Sequence, residues 1–214
     1  QAERQAAASE SEGEQSAECH LVIDGVLCRY KLLSEGTRQI IGFLIAGDLC
    51  DLCGFLMGRT DHSVGALTSA TVAVIPHKSL QTVLDAHPRL ARALWQETLV
   101  DAAITREWVA NTGRRSAYQR LAHLLCEIGT RSQAVGKASN GSFTWPVTQT
   151  EFADAMGLST VHVNRMLQQL RGEGLIATIG DEIRVLDWPK LREAGEFSPD
   201  YLFLNGSAGN PRLD

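Results

Sequence analysis

The chain has 214 residues, 44% hydrophobic and 21% charged, with a formal net charge of -5. That length holds one large domain or two small ones, and a domain of about 100–150 residues buries enough apolar surface to fold without staples. No run approaches the roughly 18 apolar residues of a membrane span, and no basic n-region precedes an apolar h-region, so neither membrane segment nor secretory leader is legible.

Five cysteines without framework spacing point to a reducing cytoplasm. The acidity is uneven. Residues 1–112 hold nine Lys/Arg against fourteen Asp/Glu, whereas 113–188 hold eight against seven. The overall charge therefore does not exclude nucleic acid as a partner of the second half.

Residues 1–18 contain no apolar side chain larger than Ala, too little to offset ordering entropy, so a disordered segment or a frayed helix is expected. Short strands come after it. Leu21–Ile23 runs into Asp24-Gly25, a hairpin signal. Val26–Leu33, a turn at Ser34–Thr37, Ile40–Ile45 and a turn at Gly47-Asp48 come next. Ser63–Leu67 and Thr71–Ile75 complete a set that predicts an all-β roll or barrel.

The period then changes. Ser79–Ala86 reads as a short helix stopped by Pro88, and Arg89–Asn111 as a long one with two apolar rows. One row is Trp95, Leu99 and Ala103; the other is Val100, Ile104 and Trp108. One row suffices for packing on its own domain, so the row Val100, Ile104, Trp108 is assigned to a symmetric partner. Burial of both rows within one chain is the alternative. Gly113 is expected to break the helix at a domain boundary. Ser116–Ile128 resumes as a helix, and Gly129–Ser142 reads as a polar loop.

The most specific signal lies at 147–185. Thr148 and Glu151 form a capping box that starts a helix, and Gly157 ends it. Ser159 can cap a second helix almost at once, and two helices joined by a tight Gly turn make a helix-turn-helix. On the second helix Val163, Leu167 and Leu170 face the core with Phe152 and Met156. Thr160, Val161, Asn164, Arg165 and Gln168 fall on the opposite face, which has donors, acceptors and one cation but no acid. That inventory suits base edges in a major groove, where Arg pairs with guanine and Asn or Gln with adenine. Ile176–Ile179 and Ile183–Leu186 around Gly180-Asp181 form a wing. Packing with a merely solvated outer face is the competing account of this helical hairpin.

The stretch Val147–Ile176, above all GLSTVHVNRMLQQLRGEGLI, resembles the winged helix-turn-helix of the bacterial Crp/Fnr transcription regulators. The stretch LVIDGVLCRYKLLSEGTRQIIGFLIAGDLCDL, continued to about Asn111, resembles the family's cyclic-nucleotide-binding-like β-roll and dimer helix. The resemblance implies a homodimer on palindromic double-stranded DNA, with RNA polymerase as a further partner. It places Thr160, Val161, Asn164 and Arg165 where relatives contact bases, and Thr148, Gln149, Thr150 and Ser159 where they contact phosphates. Val161 occupies a position often acidic in the family.

The resemblance has two departures. Relatives carry a helix and strand before the roll where this chain has polar residues, so either the N-terminus is truncated or its first strands are atypical. Relatives that bind cyclic AMP hold its ribose with Gly-Glu and its phosphate with Arg-Ser or Arg-Thr. Asp51-Leu52 and His62-Ser63 stand there instead. Leu52 accepts no hydroxyl, a histidine is mostly neutral at pH 7, and Asp51 would repel phosphate. Cyclic-nucleotide binding is not expected, and the effector is unknown.

Cys50-x-x-Cys53 is the only close thiol pair, compatible with a redox-responsive regulator or with two buried thiols. No second Cys/His pair completes a zinc site, and no metal or cofactor is expected. The six histidines show no His-x-His spacing, and no Walker, G-x-S-x-G or dinucleotide motif occurs. A non-enzyme is expected, with a ligand-binding or catalytic cupin-like β-barrel as the rival. The expected class is α+β: an atypical N-terminus at 1–18, a β-roll at 19–87, a dimerisation helix at 88–112, a winged helix-turn-helix at 113–188 and a tail at 189–214.

Overall fold

A computed structural model describes residues 2–5, by their backbone, and 11–204. The N-terminal half is a roll of two three-stranded sheets. One has the order β1 (Ala2–Gln5), β6 (Thr71–Pro76), β2 (Glu18–Asp24); the other has β4 (Arg38–Leu44), β3 (Leu27–Leu32), β5 (Ser63–Ala66). Val22, Leu27, Leu44, Cys50, Val64, Val72 and Val74 form one buried cluster within it.

Two expectations change here. Part of the N-terminal segment is ordered, because β1 pairs antiparallel with β6 from Ala2↔Val74 to Gln5↔Thr71. Backbone pairing satisfies a strand whatever its side chains. Residues 1 and 6–10 lie outside the described residues. Asp24-Gly25 is no hairpin, since β2 and β3 belong to different sheets. Gly25 has φ +90°, and a Cβ there would sit 2.5 Å from the Ser69 carbonyl oxygen. The glycine serves a close crossing between sheets.

A short helix, α1 (Leu52–Met57), falls between β4 and β5, and α2 (His77–Ala86) follows β6. Then α3 runs from Pro88 to Arg114, straight through Gly113. Gly costs about 1 kcal/mol inside a helix but does not end one. The break comes where Ser116 caps α4 (Ala117–Ala134) in a capping box with Gln119.

The loop expected at 129–142 is instead the last turns of α4 and a hairpin, β7 (Ala138–Ser139) with β8 (Ser142–Thr144). Gly129 misled because a Cβ there would meet the Trp188 ring at 2.7 Å and Phe143 at 3.0 Å. It is a packing glycine inside a helix. After α5 (Gln149–Met156) and α6 (Thr160–Gly172), β9 (Ile176–Ile179) and β10 (Glu182–Val185) extend the hairpin into a four-stranded sheet of order β7-β8-β10-β9.

The expected tail is built into the core from 189 to 204, and its residues 205–214 lie outside the described residues. Asp187 caps α7 (Trp188–Gly195), and a 3₁₀ turn follows at Pro199–Leu202. Leu191, Phe197 and Leu202 are buried in the cluster that holds Leu121, Leu125, Leu170 and Ile183. That cluster continues into the roll through Trp108, Phe43 and Ile40, so one apolar core spans both halves.

Candidate nucleic-acid interface

Capping chemistry sets the two helices. Thr148 Oγ1 accepts the Glu151 amide at 3.3 Å, while Glu151 Oε2 takes the Thr148 amide at 2.6 Å and its hydroxyl at 2.8 Å. Gly157 turns the chain at φ +62°. Ser159 Oγ accepts the His162 amide at 3.3 Å and starts α6. Arg120 Nη1 donates to the Met156 carbonyl at 3.0 Å and so closes the far end of α5.

Val163, Met166, Leu167 and Leu170 are buried. Thr160, Val161, Arg165 and Gln168 are exposed and Asn164 is half-exposed; Val161 presents 78% of its surface to solvent. Gln149 and Thr150 are exposed at the start of α5. The structure thus brings these residues onto one surface. Thr148 differs, because its hydroxyl and amide protons both go to Glu151, leaving no donor for a phosphate. It is a cap.

Two features escaped the sequence. Asn164 Nδ2 donates to Gln149 Oε1 at 3.0 Å across the turn. Arg184 on the wing donates to Ser142 Oγ at 3.0 Å, and Arg171 donates to Thr178 Oγ1 at 3.0 Å. Arg171 belongs to α6 itself, and the Arg184 guanidinium is also paired with Glu182 at 3.2 Å, which partly offsets its charge. Arg115, between the end of α3 and the Ser116 cap of α4, points inward to Glu107 at 2.6 Å.

The proposed dimer row is corrected. Trp108 is only 9% exposed, stacks edge-on with Phe43 and donates Nε1 to Glu127 at 3.2 Å. Ile104 packs against the same core and Val100 is half-buried. The face that α3 leaves open carries Trp95, 70% exposed, Leu99, 57% exposed, and Val109.

Arg131 ties reader to roll. Its guanidinium reaches Asp48 at 2.5 Å, the Phe43 carbonyl at 3.2 Å and Glu127 at 3.5 Å. Glu127 is fully buried, and burial raises its pKa against the pull of Arg131, Tyr201 and Trp108. Arg38 of β4 holds Asp154 of α5 at 2.8 Å. Glu127 and Arg131 are spaced i,i+4 on α4, a pattern that in itself carries no sign of burial.

In the roll, Asp51 accepts the His20 amide at 2.9 Å and lies 2.8 Å from His20 Nδ1, so its charge faces inward rather than toward a ligand. Ser63 Oγ accepts the Glu12 amide at 3.0 Å, His62 Nδ1 lies 2.7 Å from Asp61, and Leu52 begins α1. Cys50 is buried; Cys53 is half-buried, and desolvation followed by Asp61 raises its pKa. A thiolate is disfavoured there, which runs against the redox reading. Burial likewise pushes Cys28 up to about 11 and Cys126 to about 12. Among the described residues no group of three His, Cys, Asp or Glu is placed to hold a metal, and no helix is long and apolar enough to cross a membrane.

A β-roll, a long helix with an open apolar face and a winged helix-turn-helix together define a DNA-binding regulator with an effector-type domain. Residues 11–87 match the cyclic nucleotide-binding domain, and residues 119–194 match the Crp-like helix-turn-helix domain. The transcriptional activator protein FnrL of Cereibacter sphaeroides is 30% identical over 83% of this chain and 73% of its own length. The nitrogen fixation regulation protein FixK of Bradyrhizobium diazoefficiens is 30% identical over 78% and 69%. The structure of FixK2 from Bradyrhizobium japonicum superposes with a TM-score of 0.79 at 26% identity, covering 90% of this chain and 96% of that one. The chain belongs to the Crp/Fnr family of transcription regulators.

Proposed function

We propose that the chain acts in the cytoplasm as a homodimer on a two-half-site operator, reading bases with Thr160, Val161, Asn164, Arg165 and Gln168. The observation that carries this reading is the outer face of α6, free of acids and held between two capped helix starts. Gln149, Thr150 and Ser159 contact phosphate, supported by Arg171 and Arg184. The functional units are the roll to His87, α3 as dimer helix, and the reader from Ser116 through Leu202, because α7 and the 3₁₀ turn complete its core.

The two copies meet along α3 through Trp95, Leu99 and Val109, an apolar row that the single chain leaves in water. Several relatives carry the name of activators, which supports RNA polymerase as a partner. The roll works without cyclic AMP, since Asp51 and Ser63 are engaged within the fold. Electrophoretic mobility shift against the protein's own promoter tests the proposal. A salt-steep, sequence-dependent shift is expected, and no shift at any salt overturns it.

A further inference from the structure

We infer that Gln149 is a positioning residue for Asn164, fixing the direction in which the Asn164 carboxamide presents its donor and acceptor to a base. The inference rests on α6 being the base-contacting helix. Gln149 is the first residue of α5, directly after the Thr148 cap, and Asn164 sits on α6. Both helix starts are pinned by caps, so the 3.0 Å bond from Asn164 Nδ2 to Gln149 Oε1 joins two fixed points.

The direction of that bond decides the chemistry. The terminal torsion of an unrestrained Asn is broad and roughly two-fold, so carbonyl and amino group exchange places readily. An Asn side chain has two N–H donors and one carbonyl. With one N–H on Gln149, one donor and the carbonyl remain. Adenine's major-groove edge requires that pair, an acceptor for its N6 amino group and a donor for N7. The reversed bond, Gln149 donating to Asn164, would leave two donors, the set that guanine's O6 and N7 accept. Gln149 Oε1 therefore selects adenine over guanine through Asn164, while its own amino group stays available to a phosphate.

The test is a selection from a pool of randomised duplexes with the full chain and the variants Gln149→Ala, Gln149→Glu and Asn164→Ala. Melting curves matching the wild type establish that each variant is folded; these are surface positions. Glu at 149 has acceptors and no donor, so it preserves only the orientation in which Asn164 donates. Its added charge weakens all duplexes alike and cancels in a base preference.

The wild type and Gln149→Glu should prefer adenine at one step of each half-site by roughly tenfold, the scale of one good bidentate contact. Gln149→Ala and Asn164→Ala should lose that preference at the same step and keep the rest of the motif. Adenine retained in Gln149→Ala, or lost in Gln149→Glu, overturns the inference, as does a Gln149→Ala motif weakened equally at every step. A wild-type chain that enriches no motif overturns the DNA-reading proposal itself, and the inference with it.

Discussion

Tyr201 donates its hydroxyl to the Glu127 carboxylate at 2.8 Å and so binds the end of the described chain to the most buried stretch of α4. Trp108 of α3 donates to the same carboxylate, and Arg131 approaches it from the roll side. α3, α4 and the 3₁₀ turn thus converge on one acid, and Arg131 carries the link on to Asp48 of the roll. Tyr201→Phe removes one donor and should cost about 1–3 kcal/mol. For a chain of this size that lowers the melting temperature by roughly 2–12 °C. Calorimetry is the check, and an unchanged melt would show the bond to be worth nothing.

His123 predicts a pH dependence. Burial holds its pKa below the ordinary value and Arg115 adds to that, against the Gly195 carbonyl, Glu107 and Glu196. A group depressed on folding takes up fewer protons in the native state, so its stabilisation is complete above the unfolded value of about 6.5 and is lost as pH falls through the folded one. Melting temperature should decline below about pH 6.5 in the wild type and less steeply in His123→Asn. Parallel decline in the two proteins would locate the titrating group elsewhere.

The helix-turn-helix was legible because its signals are local: Thr148 with Glu151, Gly157, Ser159, and the spacing of Val163, Leu167 and Leu170 all act within a few residues. Gly129 and Gly25 misled because their need for a missing side chain arises from distant partners, Trp188 and Ser69. The hairpin at Asn140-Gly141 carried a readable turn signal, with both residues at positive φ. The start of α7 did too, in Asp187 followed by Trp188-Pro189. What no local pattern holds is the burial of Glu127 and Trp108, since it depends on which face of α3 meets α4.

That face decides the association experiment. Leu99→Glu places an acid opposite its own copy on the open side of α3, where it disturbs little within one chain. Like charges in a desolvated seam disfavour association by several kcal/mol. Sedimentation should show a folded monomer that no longer holds a two-half-site operator, whose halves lie about 34 Å apart. Ile104→Glu should instead destabilise the fold, because Ile104 packs on the core. A dimeric Leu99→Glu would move the interface off this face.

Arg165 is exposed one turn into α6 on the outward side. Arg165→Ala should weaken operator binding by about 1–3 kcal/mol and relax the preference for guanine at one step per half-site. Competition with operator and scrambled duplexes reads the difference. An equal loss on both would make Arg165 a phosphate contact.

Cyclic AMP offers the last prediction. The acid that would confront its phosphate is Asp61 rather than Asp51: the His62 ring holds the Asp61 carboxyl below its usual range, whereas Asp51 is turned onto His20. His62 Nδ1 lies 2.7 Å from Asp61, so the ring is turned to an acid of the fold rather than to a phosphate. Leu52 accepts no ribose hydroxyl, and Ser63 already accepts the Glu12 amide. A ligand raises stability by RT ln(1 + [L]/Kd), so a site lacking these contacts leaves the melting temperature unmoved even at millimolar cyclic AMP. Differential scanning fluorimetry with cyclic AMP and cyclic GMP measures this directly. Micromolar binding of either nucleotide by calorimetric titration would show that the roll recognises the phosphate through groups other than His62 and Ser63.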